Sequence, residues 1–100
     1  MVNLVYGIMI MRFNIETDTD SNTLVSNLKK LHTTTLGIER IKKNLKLNTD
    51  DVVLWCQNKI KDLNSTIYRK GKNWYIICDN YEITVNAYSY TIITAHLIKK

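Results

Sequence analysis

The chain is predicted to be α+β, with about three N-terminal helices packed on one face of a four-stranded antiparallel β-meander. Three observations carry this. Apolar residues recur at helical spacing up to Leu63 and alternate after Asn64. The alternating runs are joined by short connections, which link consecutive strands antiparallel. One hundred residues, 45% of them hydrophobic, suffice for one domain with one modest core. Within 1–100, residues 21–63 read as helical and 65–98 as the sheet. The pattern does not fix the structure of residues 1–20.

"LVYGIMIM", Leu4 to Met11, is the most apolar run. It is too short to span a bilayer and has no signal-peptide flanks, so it reads as a core strand or a first helix. "ETDTDSN", Glu16 to Asn22, reads as a polar loop, with Asp20 or Ser21 as a helix cap. Leu24, Val25, Leu28 and Leu31 then follow helical spacing. Lys29 and Lys30 come near the C-terminal end, where the helix dipole favours cations.

A second helix starts from one of the threonines of "HTTTLGIERIKKNLKL", with Leu36, Ile41 and Leu45 on its apolar side. Arg40, Lys42, Lys43 and Lys46 make it strongly basic. The third helix lies in "NTDDVVLWCQNKIKDL", capped by Thr49, with Asp50 and Asp51 at its positive end. Val52, Val53, Cys56, Ile60 and Leu63 form its buried face, and Trp55 lies close to that face. The strands are "TIYRK", "WYIICD", "YEITVNA" and "TIITAHL", separated by "GKN", by Asp79-Asn80 and by "YSY".

Alternation divides the sheet into two faces. Trp74, Ile76 and Cys78, then Tyr81, Ile83, Val85 and Ala87, then Ile93, Ala95 and Leu97 meet the helices. Tyr75, Thr84, Asn86, Tyr90, Ile92, Thr94 and His96 belong to the open face. Arg69, Lys70 and Lys72 rim it from the first hairpin. Aromatic rings and hydroxyls rimmed by cations suit single-stranded RNA, whose bases stack and whose phosphates meet Lys and Arg. Thr and Tyr also favour any half-exposed strand, so a solvated sheet gives the same pattern. The net charge of +5 favours polyanionic partners. Arg40 and Lys43 extend the candidate nucleic-acid surface, although a solvated helix face has the same composition.

Cleavage of RNA without a metal needs a base, an acid and a cation at the phosphate. The two histidines, His32 and His96, suit either proton role. Lys70, Arg69 or Lys72 supplies the cation, and Thr94 or Tyr90 a hydrogen bond. His96 also reads as a solvent-facing strand residue, and His32 as a helix-end residue. Glu82 is the only carboxylate on the polar face proper. No phosphate loop, dinucleotide motif, HExxH or nucleophile elbow is present. Cys56 and Cys78 lack metal-ligand spacing and read as buried thiols in a reducing cytosol, with a disulfide open if their elements pack together. No metal, cofactor or membrane partner is expected.

The segments "LHTTTLGIERIKKNL", "DVVLWCQNKI", "RKGKNWYI" and "ITVNAYSYTIITAH" resemble a family of small bacterial proteins known only as a domain of unknown function. The resemblance covers Leu28 to Lys100 in segments and implies no activity. A second resemblance is of fold alone: helices followed by a four-stranded meander are similar to the barnase–EndoU–colicin–RelE group of ribonucleases. That resemblance implies His32, Lys70, Thr94 and His96 as catalytic residues.

Two functions fit these observations. The first is an RNA-binding relative of metal-independent ribonucleases, of the toxin or phage-effector kind. The second is a non-enzymatic small basic protein that inhibits or regulates a nucleoprotein, such as a CRISPR effector. Both place the chain in the cytoplasm.

Overall fold

The computed structural model describes residues 15–49 and 51–98. Three helices, α1 (Ile15–Ser26), α2 (Thr35–Leu45) and α3 (Val52–Ile60), precede strands β1 (Thr66–Lys70), β2 (Asn73–Cys78), β3 (Tyr81–Asn86) and β4 (Ile92–Leu97). A 3-10 turn, Leu28–Lys30, follows α1. The strands lie in sequence order and every pairing is antiparallel. This is the expected α+β architecture. The readings of Leu4 to Met11 and of Asp50 lie outside the described residues.

The helices bury Leu24, Leu31, Ile41, Leu45, Val52, Cys56 and Ile60 against Trp74, Ile76, Ile83, Val85, Ile92 and Ala95. α1 lies against β1, α3 against β2, and α2 against β4. At roughly 1.5–3 kcal/mol for each fully buried large apolar side chain, this set is the main stabilising contribution.

α1 starts earlier than expected: residues 15–20 are already helical, so positions 20 and 21 lie inside the helix and not at its start. Ser21 instead donates its hydroxyl to the carbonyl of Ile67 on β1, at 3.2 Å. Polar turn formers are only weak helix breakers, and docking against the sheet overrides their propensity. Val25, expected on the apolar side, is exposed.

Thr34 caps α2 by accepting from the Gly37 N–H at 3.0 Å. Gly37, Ile41 and Leu45 face the core, spaced by four. Leu36 is 68% exposed, contrary to expectation. At 100° per residue it lies well off the stripe that Ile41 and Leu45 define. α3 is capped by Asp51, whose Oδ1 accepts from the Leu54 N–H at 2.9 Å, and not by Thr49. Thr49 stands two residues before the cap and accepts from the Asp51 N–H at 3.1 Å. α3 ends at Ile60, so Leu63 falls outside it and is fully exposed.

The hairpin between β2 and β3 turns on Asp79 (φ 54°) and Asn80 (φ 71°). Two consecutive positive φ values suit the right-handed twist of the strands, and Asp and Asn tolerate them best after glycine. The carboxylate of Asp79 meets the ammonium of Lys59 at 2.9 Å. Lys59 also lies over the rings of Trp55 and Tyr81, which pack edge to face.

The main departure is in β4. Thr84 pairs with Thr94, yet Val85 pairs with Ile92, so Ile93 is an extra residue in a β-bulge. The bulge reverses the parity of the strand's first half. Ile92, assigned to the open face, is buried, and Ile93, assigned to the core, is 43% exposed. Tyr90 also moves to the helix side, where its ring lies 5.3 Å from that of Trp74. Leu97 lies on the core-side parity but is exposed at the end of the strand.

Candidate nucleic-acid interface

The open face is a grid set by strand register. One row across it is Tyr68, Tyr75, Thr84 and Thr94, and the next is Thr66, Ile77, Glu82 and His96. The rings of Tyr68 and Tyr75 stack with centroids 5.4 Å apart and planes inclined at 21°. In the second row His96 Nε2 stands 3.4 Å from Glu82 Oε1, and the imidazole side chain is 45% exposed. The pair therefore joins an acid–base group to a carboxylate on neighbouring strands of an accessible surface.

Other expected members of this face behave differently. Thr84 is only 7% exposed, between Tyr75 and Thr94 in its row, and contributes packing more than surface. Asn86 turns inward on its own loop: its Oδ1 accepts from the N–H groups of Tyr88 and Ser89 and from the Ser89 hydroxyl. Arg69 pairs with Trp74 and so belongs to the helix side. Its guanidinium lies over the rings of Trp74 and Tyr88 and donates to the Gly71 carbonyl at 2.8 Å. It does not rim the open face. Lys70 and Lys72 are both exposed at the first hairpin.

The four expected catalytic residues do not meet. Thr94 and His96 share a face. Lys70 is in β1, three strands from β4, about 14 Å away laterally at ~4.8 Å per strand. It is also paired with Asn73, in the row of Asn86, about 13 Å along the strands from the Glu82 row at ~3.3 Å per residue. His32 forms a parallel bridge with Thr91 at the start of β4, roughly 15 Å from His96 by the same spacing. There it closes a separate chain: His32 Nδ1 lies 2.9 Å from the Lys30 carbonyl, and Nε2 lies 3.1 Å from the Thr91 hydroxyl. Thr91 in turn meets the Ser89 hydroxyl at 2.8 Å.

A groove of about 700 Å³ runs beside His96. Asn44 and Lys46 from the end of α2, Asn80 from the β2–β3 turn, and Thr94, His96 and Leu97 from β4 line it. Arg40 and Lys43 line a separate depression with Leu36 and Glu39.

Asp62, Cys78 and Asp79 bring ligating atoms within 4.8 Å of one another, the one such group among the described residues. Lys59 already occupies the Asp79 carboxylate, holding it below its ordinary range, chiefly through their hydrogen bond. Burial, then the neighbouring Asp62 and Asp79 charges, raises the Cys78 thiol. Burial pushes Cys56 up to about 12. Both cysteines are free and buried, and both favour the inert thiol.

In the sequence Glu82 stands out only as a carboxylate on the polar face, and Tyr68 only as a strand residue. The signal for each was parity alone: Tyr68 shares a face with Lys70, and Glu82 with Thr84. Lys46 reads in the sequence only as part of a basic helix. Its place beside His96 depends on how α2 docks, which no local pattern records.

The chain belongs to a family described as a protein of unknown function, DUF3781, whose model matches residues 25–96. No curated protein and no solved structure matches it. Among the described residues, no helix is long and apolar enough to cross a membrane.

Proposed function

We propose that the protein binds single-stranded RNA on the open face of its sheet and cleaves it without a metal. The observation that carries this reading is the Glu82–His96 pair, 3.4 Å apart on an accessible strand surface beside the Tyr68–Tyr75 stack. The Glu82 carboxylate takes the proton of a ribose 2′-OH. The 2′-oxygen attacks the adjacent phosphorus. The His96 imidazolium then gives its proton to the departing 5′-oxygen, leaving a 2′,3′-cyclic phosphate and a 5′-hydroxyl. Stacking on tyrosine rings contributes roughly 1–3 kcal/mol per base without demanding a sequence.

The alternative is non-enzymatic binding to a nucleoprotein. Leu36, 68% exposed beside Arg40 and Lys43, favours it, because an apolar side chain among cations suits a protein surface.

Binding is tested by fluorescence anisotropy with a labelled RNA oligomer at several salt concentrations. Charge reversal at Lys70 and Lys72 is expected to weaken binding and flatten its salt dependence. Unchanged binding in a folded variant removes the hairpin lysines from the interface. Absence of RNA binding by the native chain leaves the nucleoprotein reading.

A further inference from the structure

We propose that the groove on the outer side of β4 is a nucleotide subsite, taking the phosphate and base of one nucleotide of an RNA chain, with Lys46 on the phosphate. This rests on the RNA-binding reading and adds to it a cation and a position for the scissile linkage.

Lys46 has an unusual backbone. It follows α2 in the left-handed region, φ 56°, with its N–H bonded to the Lys42 carbonyl and the Leu47 N–H bonded to the same oxygen at 3.1 Å. Helices usually end this way on glycine, because a Cβ is strained there. Strained residues of this kind cluster where a side chain has a task. Lys46 has no ion-pair partner among the described residues, and it lines the same groove as Thr94 and His96.

The rest of the lining suits a nucleotide better than a bare anion. Asn44 gives one Nδ2 hydrogen to the Ala95 carbonyl at 3.3 Å, which leaves its amide oxygen and its second N–H for a ligand. Asn80 adds a second amide on the opposite turn. Amides offer the donor and acceptor pairs that a base edge needs. Leu97, 44% exposed, supplies apolar surface for the plane of a base. A volume of about 700 Å³ exceeds what phosphate alone would fill and lies within the usual range for ligand sites. The carbonyl end of α2 opposes an anion, but Lys46 sets a full positive charge in the groove against about half a negative one. His96 belongs both to the groove and to the Glu82 pair, so a phosphate held by Lys46 comes beside the imidazole.

The test is an amide-resolved NMR titration of the full chain with 3′-nucleoside monophosphates, with inorganic phosphate, and with a short RNA oligomer. Nucleotide should shift Lys46, Asn80, Thr94 and His96, and bind at least tenfold more tightly than phosphate. Lys46→Gly removes the charge and relieves the backbone, so it should lose at least tenfold in nucleotide affinity while its melting temperature holds or rises. Lys46→Arg should keep binding. The subsite is overturned, with the RNA reading intact, if the oligomer shifts Tyr68 and Tyr75 while nucleotides leave the groove unshifted. Native affinity in Lys46→Gly overturns it too, and equal affinity for phosphate and nucleotide overturns the base half. Failure of the oligomer to bind anywhere overturns both readings.

Discussion

His96 and Glu82 are direct cross-strand partners, and their side chains meet on the open face at 3.4 Å. An exposed pair of this kind contributes little to folding, on the order of 0–1 kcal/mol. Substituting either residue should therefore leave the fold intact. A double-mutant cycle on His96→Ala and Glu82→Ala, read by urea unfolding, should give a coupling below about 1 kcal/mol. A much larger coupling would mean that the pair is a structural clamp.

The bulge at Ile93 makes two adjacent isoleucines unequal. Ile92→Ala should cost roughly 2–5 kcal/mol, as expected for a large side chain removed from a packed core. Ile93→Ala should cost no more than about 0.5 kcal/mol, the usual scale for a surface change. The opposite ranking by urea midpoints would restore the unbroken alternation that the sequence suggests.

That alternation shows what the chain reveals of its own fold and where it stops. The change of period after Asn64, the Asp79-Asn80 hairpin and the core face of β2 are local signals, and they are read directly. The bulge is not local: Ile93 is absorbed opposite the Thr84–Val85 step only when β4 pairs with β3. So Ile92, Ile93 and Tyr90 change sides without any mark in the sequence. The site follows the same division. Thr94 and His96, two apart on one strand, are legible as neighbours. That Glu82 completes the pair, while His32 and Lys70 lie elsewhere, is decided by register and strand order.

Asp51 and Thr49 offer a second paired comparison. Asp51→Ala removes the acceptor for the Leu54 N–H and should cost about 1 kcal/mol. Thr49→Ala removes a bond outside the helix and should cost less. Thermal or urea unfolding ranks the two.

The Lys59–Asp79 pair predicts a pH dependence. The folded Asp79 carboxyl lies below its ordinary value of 3.8, so its contribution is present above that value and is lost as pH falls through the folded one. The Lys59 ammonium is raised above 10.5, chiefly by its hydrogen bond to Asp79, so its contribution is present below that value and is lost only at higher pH. Asp79→Asn keeps a side chain that accepts the positive φ and removes only the charge. Melting temperature plotted against pH should fall less steeply below pH 3.8 in this variant than in the native chain. Identical acid limbs would show that the exposed pair adds nothing.

Cleavage of labelled RNA in EDTA, compared among the native chain, His96→Ala and Glu82→Gln, tests the central claim most directly. The native chain should release fragments ending in a 2′,3′-cyclic phosphate. Each variant should lose on the order of a hundredfold or more in rate, as removal of a general acid or base does. The melting temperatures should stay close to that of the native chain. No cleavage by the native chain, or cleavage that survives in both folded variants, would contradict the account.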